Sequence, residues 1–286
     1  MSNNAAVQQK QRGHAVREGE VVTRTPGHPA TVRSLSADLA ALGVVPGMVL
    51  LVHSSLSSLG WVCGGAVAII LALEDALSRQ GTLLMPTHSG DLSDPARWEN
   101  PPVPEAWWGT IRETMPAYDR DLTPTRGVGA IPEVFRKQQG VVRSGHPQVS
   151  FAAWGARAEE VTAAQALDFG LGEASPLARL YDLEGWVLLL GVGHQNNTSL
   201  HLAEYRAAQS ERRVIENGAP LLVGGRRAWV RLQDIDLDDS DFQAIGECFA
   251  REKAHVRRGH VADAQALLLP QRALVDYAVH WMEENR

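Results

Sequence analysis

Residues 186–206, WVLLLGVGHQNNTSLHLAEYR, contain the side chains whose types and spacing are best suited to chemistry. His201 and Glu204 are three residues apart, so on a helix they lie on one face. A carboxylate in that position holds an imidazole in one tautomer, and the free ring nitrogen can then act as a general base. Surface His–Glu pairs without any function share this spacing, so the spacing alone leaves both interpretations open.

His146 is a second candidate base, in the run GHPQVSFAAWG at residues 145–155. Pro147 biases His146 toward extended backbone directly before a predicted strand. The side chain could act as a base or bind a ligand. The alternative is a turn histidine that is hydrogen-bonded to backbone.

A serine-rich turn occupies residues 51–65, LVHSSLSSLGWVCGG, and is followed by a predicted helix. Backbone N–H groups in such a turn can cradle phosphates. Serine-rich turns also simply cap helices, so this signal is weak by itself. The P-loop pattern GxxxxGK[ST] is absent.

Other kinds of site are disfavoured by the same inspection. The chain has no GxSxG elbow, which argues against a serine hydrolase of that type. Cys63 and Cys248 are far apart and have no neighbouring base motif, so thiol catalysis and a disulfide framework are not expected. The spacing of His194 and His201 matches none of the helical zinc motifs, and we expect no metal.

The elements that must position these residues follow from hydrophobic periodicity. Buried strands are predicted at residues 48–55, 81–86, 150–155 and 185–193, and an antiparallel strand is predicted at 228–236. Helices are predicted from Thr31 to Leu42, at residues 66–77, 127–138 and 156–165, from Thr198 or Ser199 onward, and at the C-terminus. Alternating helices and strands predict parallel pairing in an α/β sheet, whose ligands gather at the C-terminal strand ends. The helix after residues 185–193 would offer free N–H groups to an anion.

Composition narrows the class of protein. The 286 residues are 44% apolar, which excludes a mainly disordered chain, and the net charge of -6 argues against a general nucleic-acid binder. No apolar run is long enough to span a membrane, and the polar N-terminus is not a secretory signal. We therefore expect a cytoplasmic protein, with a polar flexible tail at residues 1–30 and one folded domain at 31–286.

The acidic charge is concentrated in two segments. Residues 91–121 contain seven acids and three bases, and residues 234–241 contain five Asp and no base. The first segment lies within residues 87–126, which have little periodicity but are rich in Trp and Pro, and we expect them to form one wall of a binding pocket. The second segment is expected near the same pocket or as a solvated loop.

Six segments, taken in order, resemble the aminoglycoside 3-N-acetyltransferases. They are VHSSLSSLG (52–60), GTLLMPTHSGD (81–91), NPPVPEAWWGTIRETMPAYDRDLTPTRGVGAIPEVFR (100–136), HPQVSFAAWG (146–155), LDFGLGEASPLARL (167–180) and WVLLLGVGHQNNTSLHLAEYRA (186–207). The likeness is colinear from about residue 30 to the C-terminus. It implies the antibiotic N-acetyltransferase fold, a single α/β domain whose mixed central sheet is flanked by helices.

The resemblance also implies transfer of an acetyl group from acetyl-CoA to the 3-amino group of the 2-deoxystreptamine ring of aminoglycoside antibiotics, giving resistance. That amine is largely protonated at neutral pH and must lose its proton to attack a thioester. His201, oriented by Glu204, is then the expected base, with His146 second. Thr198 and the first N–H groups of its helix are expected to stabilise the oxyanion. Direct transfer is expected, because no activated nucleophile is evident.

Two sets of binding residues complete the expectation. Acetyl-CoA is expected to contact Ser54, Ser55, Leu56, Ser57, Arg126, Gly127 and Val128, although Arg126 could instead pair with a carboxylate. The polycationic drug is expected to contact some of Asp91, Glu99, Trp107, Trp108, Asp119, Asp168 and Glu173, although any single surface acid is more often a solvated charge or a helix cap.

Three points stay open from sequence. A protein of this fold could instead acylate another amine in natural-product biosynthesis, or bind CoA or a cation without catalysis. The range of accepted drugs is not encoded in any one motif. The chain is expected to be a monomer or a homodimer, with no nucleic-acid or membrane partner.

Overall fold

A computed structural model describes residues 19–23, 25, 27–208, 213–252 and 255–286. The strands are β1 Val49–Ser54, β2 Thr82–Pro86, β3 Val142–Arg143, β4 Phe151–Gly155, β5 Trp186–Leu190, β6 Val214–Val223, β7 Arg226–Ile235, β8 Arg257–Val261 and β9 Ala264–Pro270. The helices are α1 Val32–Leu42, α2 Gly65–Leu77, α3 Trp108–Thr114, α4 Ala130–Phe135, α5 Ala158–Thr162, α6 Pro176–Asp182, α7 Ser199–Arg206, α8 Phe242–Glu252 and α9 Gln271–Asn285.

Seven strands form the central sheet in the order β3-β4-β2-β1-β5-β9-β8. The predicted parallel pairing is confirmed at its centre, where β1 runs parallel to both β2 and β5. The outer strands are antiparallel, and β4, which corresponds to the strand predicted at residues 150–155, is antiparallel to β2. The expected fold class, an α/β domain with a mixed central sheet, is therefore confirmed.

Alternating side chains of the central strands pack into two separate cores. Leu50 and Val52 of β1 face α1, α2 and α4, whereas Leu51 faces α5 to α9. Successive side chains of a strand point to opposite faces. His53 therefore shares the face of Leu51, which is the face that α7 covers.

The ends of α1 follow the sequence prediction. Thr31 is the N-cap and forms a reciprocal capping box with Ser34, which satisfies backbone N–H groups that the helix leaves unpaired. Gly43 ends the helix at φ 106°, a left-handed conformation that glycine adopts without a steric penalty.

The predicted strand at 228–236 overlaps β7, which ends at Ile235, but it pairs with β6 in a separate two-stranded hairpin rather than in the central sheet. The Trp- and Pro-rich segment 87–126 packs against this hairpin. The Tyr118 N–H donates to the Pro220 carbonyl, and the Asp94 N–H donates to Asn217 Oδ1. This segment contains α3 and several turns, in keeping with its lack of periodicity.

The predicted polar tail at residues 1–30 lies mostly outside the described residues. Within its described part, Ala30 is buried and pairs with Val62, and Thr25 Oγ1 accepts the Trp61 N–H at 2.7 Å. Ordered contacts with the domain therefore begin before residue 31. In the described ranges, no helix combines the length and apolarity needed to cross a membrane.

Candidate active site

Three parallel strands deliver their C-terminal ends to one edge of the sheet. β1 continues into the serine-rich turn, β2 leads to His88, and β5 leads to the turn before α7. The turns after β1 and β5 are joined, because the Ser55 N–H donates to the Leu190 carbonyl at 3.0 Å and Ser58 Oγ donates to the Gly191 carbonyl at 3.0 Å. This is the position at which ligands bind in open α/β sheets.

A cavity of about 840 Å³ opens at this edge, and we call it the strand-end cavity. The structure brings together in its wall eight of the residues singled out from sequence: Ser54, Ser55, Leu56, Ser57, Gly127, Val128, Thr198 and His201. Gly127 has φ 76°, a conformation that L side chains rarely adopt. Ser54 Oγ is buried and has no hydrogen-bond partner among the described residues. The wall is therefore shaped for a ligand that meets backbone closely and offers a polar contact.

His201 and Glu204 form the predicted pair. His201 Nδ1 lies 2.6 Å from Glu204 Oε2. A carboxylate can only accept, so Nδ1 carries the hydrogen and Nε2 of the neutral ring is left as a proton acceptor. The imidazole also packs edge-on against Phe242, with ring centroids 4.8 Å apart. The ring is therefore held in one tautomer and one orientation at the cavity wall.

Two more histidines lie in this wall and were not singled out from sequence. Burial, together with the nearby charge of His201, lowers the pKa of His53 to about 3. Burial likewise lowers the pKa of His88 to about 3, with the charges of His201 and His53 as secondary causes. Both rings therefore stay neutral at physiological pH.

The start of α7 differs from the sequence expectation. The N–H groups of Ser199, Leu200 and His201 already donate to Asn197 Oδ1, the Asn197 carbonyl and the Thr198 carbonyl. They are not free to stabilise an oxyanion. The available polar groups are the Thr198 hydroxyl, 3.4 Å from His53 Nε2, and the buried Asn197 Nδ2, which has no acceptor in the described part of the chain.

His146 lies outside the strand-end cavity. Its Nδ1 accepts the N–H groups of Gln148 and Val149 at 3.1 and 3.0 Å, and its Nε2 donates to the Leu167 carbonyl at 3.1 Å. Burial lowers its pKa to about 4. Both ring nitrogens are engaged by backbone, as in the turn-histidine alternative.

A second cavity, of about 750 Å³, adjoins the first at His88, and we call it the loop cavity. Asp91 and Glu99 line it, together with Trp98. Arg126 also lines it and pairs with Asp91 at 2.7 Å, so this guanidinium is directed away from the strand-end cavity. The loop cavity therefore combines carboxylates with an aromatic face.

The other sequence-derived binding residues are dispersed and engaged elsewhere. Asp119 Oδ1 accepts the N–H groups of its own turn, and Asp168 Oδ1 accepts the Gln233 N–H at 2.7 Å. Glu173 forms a two-bond pair with Arg206. Trp107 is 58% exposed, and Trp108 packs beside Arg112. None of these five lines either cavity as described.

Among the described residues, no group of three or more His, Cys, Asp or Glu side chains is arranged to hold a metal ion.

The chain is similar to known proteins over most of its length. Residues 51–283 match the family profile described as aminoglycoside 3-N-acetyltransferase. The SPbeta prophage-derived aminoglycoside N(3')-acetyltransferase-like protein YokD of Bacillus subtilis (strain 168) is 47% identical over 258 residues, which cover 90% of this chain and 94% of YokD. Aminoglycoside N(3)-acetyltransferase VII of Streptomyces paromomycinus is 38% identical over 270 residues, which cover 90% of this chain and 93% of that enzyme.

Solved structures give the same result. The crystal structure of YokD from Bacillus subtilis superposes with a TM-score of 0.91 at 46% identity, covering 93% of this chain and 98% of YokD. AAC-IIIb in a binary complex with CoASH has a TM-score of 0.81 at 34% identity, and the match covers 90% of this chain and 97% of AAC-IIIb. AAC-VIa with sisomicin bound has a TM-score of 0.82 at 29% identity, with 91% and 100% covered.

The profile match spans most of the chain, and the relatives are similar in sequence and in structure over nearly their full length. The chain belongs to the aminoglycoside 3-N-acetyltransferase family.

Proposed function

We propose that the protein transfers the acetyl group of acetyl-CoA to the 3-amino group of the 2-deoxystreptamine ring of aminoglycosides, with His201 as general base, and thereby gives antibiotic resistance. The observation that carries the mechanism is the His201–Glu204 pair at the wall of the strand-end cavity, 2.6 Å apart with Nε2 left as acceptor. The names of relatives support the acceptor and the donor: one is solved with sisomicin and another with CoASH.

Acetyl-CoA is assigned to the strand-end cavity. The turn of Ser54 to Ser57 and residues Gly127 and Val128 both line it, and the buried Ser54 Oγ provides an unused polar group there. Acetyl-CoA supplies the activated acyl group. Arg126 would have to leave Asp91 to reach a phosphate, so the backbone and the serine turn carry this assignment.

The aminoglycoside is assigned to the loop cavity and the adjoining region of His88. Asp91 and Glu99 provide carboxylates for the ammonium groups of a polycation, and Trp98 provides a flat face for a sugar ring. Arg97 and Arg126 also line this cavity, and Arg126 pairs with Asp91, so binding of the drug would exchange that ion pair for a contact with an ammonium group. The cavities adjoin at His88, so an amine held in the loop cavity is directed toward the acetyl donor.

Proton transfer follows from the tautomer of His201. The ammonium form of the amine first releases one proton to solvent. The neutral nitrogen then attacks the thioester carbon while Nε2 takes a second proton from it, the C–N bond forms, and the C–S bond breaks. The sulfur takes the proton from Nε2 and leaves as the thiol of CoA, which returns Nε2 to a proton acceptor. Asn197 Nδ2 and the Thr198 hydroxyl are the donors proposed to stabilise charge on the thioester oxygen.

The decisive experiment is His201→Asn, assayed by thiol release from acetyl-CoA with sisomicin and gentamicin as acceptors, and by NMR of the product to locate the acetyl group. We expect loss of turnover of at least about 100-fold, the lower range for a general base. His280→Asn, at an exposed histidine of α9, is the matched control.

The outcomes separate the candidate functions. Wild-type turnover in folded His201→Asn would reject His201 as base. Absence of thiol release by the unmodified protein with every aminoglycoside, together with binding of CoA in calorimetry, would favour acylation of another amine or CoA binding without catalysis.

A further inference from the structure

The catalytic pair is linked to a third side chain that the proposed reaction does not yet use. Arg286 Nη1 donates to Glu204 Oε1 at 2.8 Å. The same guanidinium donates through Nε and Nη2 to the two oxygens of Asp241, at 2.8 and 2.6 Å, and through Nη2 to the Asp238 carbonyl at 2.7 Å. Its side chain is only 16% exposed, so this fork is held in a largely dry environment.

The Glu204 carboxylate divides its oxygens between two partners. Oε2 faces His201, whereas Oε1 accepts from Arg286 and from the Asp238 N–H at 2.8 Å. The side chain is 3% exposed, and a buried carboxylate is retained only where its lone pairs are met by donors. Both donors to Oε1 act on the side of the carboxylate opposite His201, so they fix the plane in which Oε2 meets Nδ1.

We propose that Arg286 is a positioning residue for acyl transfer, whose guanidinium, anchored by Asp241, fixes the Glu204 carboxylate and through it the tautomer and orientation of His201. The inference rests on the proposed role of His201 as base. Arg286 lies behind Glu204 and is not in the described lining of the strand-end cavity, so it acts through Glu204 and touches no substrate.

This assignment explains the acidic run at residues 234–241. From sequence, that run could have been either part of the drug pocket or a solvated loop. Within residues 234–241, Asp238 binds Glu204 through its N–H and Arg286 through its carbonyl, and Asp241 anchors the guanidinium. A lysine could not replace this fork, because an ammonium is a point donor that cannot serve Glu204 and Asp241 with the same planar geometry.

The test compares Arg286→Ala with Arg272→Ala. Arg272 lies on α9, and its guanidinium likewise donates to several acceptors, which are the Tyr181 and Asp182 carbonyls and Glu184 and include neither His201 nor Glu204. We expect Arg286→Ala to lower kcat about 10- to 100-fold, the range for losing a hydrogen bond to a charged group. The KM for acetyl-CoA should change less than about twofold, and Arg272→Ala should keep wild-type kcat.

Two further measurements separate positioning from a general loss of stability. Guanidinium ion at millimolar concentration should restore part of the kcat of Arg286→Ala and leave Arg272→Ala unaffected. If the alanine variant does not fold, Arg286→Lys takes its place in the test, because it retains the positive charge. It should also have reduced kcat with unchanged KM for acetyl-CoA.

Wild-type kcat in Arg286→Ala or in Arg286→Lys overturns the inference. So does an equal loss of kcat in Arg272→Ala, because the effect would then follow stability. Failure of the proposed function has a different signature, since His201→Asn would retain turnover whatever the Arg286 variants do.

Discussion

Replacing Glu204 by Gln tests the tautomer of His201 with almost no change of shape. In the wild type, Oε1 accepts from Arg286 and the Asp238 N–H, and Oε2 accepts from His201 Nδ1. A glutamine amide has one acceptor and one donor end. If its oxygen meets Arg286 and the Asp238 N–H, its NH₂ must face His201.

That orientation is the one we expect, because the opposite one would place the NH₂ against two donors in a buried site. With an NH₂ facing it, Nδ1 must become the acceptor, so the ring hydrogen moves to Nε2. Nε2 then has no lone pair for the amine proton. An Asp→Asn change that imposes the wrong tautomer in a serine protease triad lowers kcat by about 10⁴, so we expect a loss of about 10³ to 10⁴.

The assay is thiol release at saturating acetyl-CoA and sisomicin, with the KM for each substrate measured separately. Glu173→Gln is the matched control, because Glu173 forms a two-bond ion pair with Arg206 of α7 but is exposed and away from the cavity. It should retain wild-type kcat. A folded Glu204→Gln variant with kcat within threefold of the wild type would refute the tautomer argument, even if His201 were still essential.

Three other perturbations follow from the same structure. Asn197→Ala removes the unpartnered Nδ2 donor. Steady-state kinetics should therefore show kcat about 100- to 1,000-fold lower, with the KM for acetyl-CoA nearly unchanged. A loss of kcat below tenfold would contradict the oxyanion role. Gly246→Ala would put a Cβ 2.0 Å from the His194 ring, so the free energy of unfolding measured in urea should fall by about 1–3 kcal/mol, although alanine is the better helix former. A stabilised variant would contradict this packing. Acid should also destabilise the fold, because burial lowers the pKa values of four histidines, whereas the same side chains in the unfolded chain take up protons below their ordinary pKa of 6.5. The stability that they contribute is complete well above pH 6.5, and the free energy of unfolding should fall by about 2 kcal/mol for each such histidine as the pH drops from 7 to 5. A flat urea-unfolding profile over that range would refute this. The histidines concerned are His53, His88, His146 and His194.

The centre of the fold was predictable from sequence because it is built from local signals. β1, β2 and β5 are continuous apolar runs, as expected for strands buried on both faces by helices. β8 and β9 were not predicted. β9 pairs antiparallel with β5 through Leu267 to Leu269, but its position beside β5 depends on a partner about 80 residues earlier in the chain.

The His201–Glu204 pair was predictable for the same reason, since the two residues lie within one turn of helix. His53 was missed although the signal was present: it follows Leu51 by two residues on a strand, so it shares the face that α7 covers. Arg286 carried no such signal. It is 82 residues from Glu204, and only the packing of α9 beside α7 brings the two together.

Acidic residues show what sequence alone does not distinguish. The sequence does not distinguish the four acids Asp91, Glu99, Asp168 and Glu173. In the structure, their availability to bind a polycation differs. Asp168 is engaged by a backbone N–H, and Glu173 and Asp91 are paired with Arg206 and Arg126, although Asp91 also lines the loop cavity. Glu99 lines the same cavity. Availability depends on long-range partners, so it becomes visible only in the folded chain.

The distribution of charge around His201 fits a base that must gain a proton during each turnover. Burial keeps His53 and His88 neutral, so neither adds a positive charge that would oppose protonation of His201. Glu204 provides the compensating negative charge, and Arg286 is itself balanced by Asp241. Protonation of His53 would therefore do more than destabilise the fold, because it would place a second cation beside the base. This makes the low pKa of His53 a requirement of the proposed mechanism as well as a consequence of burial.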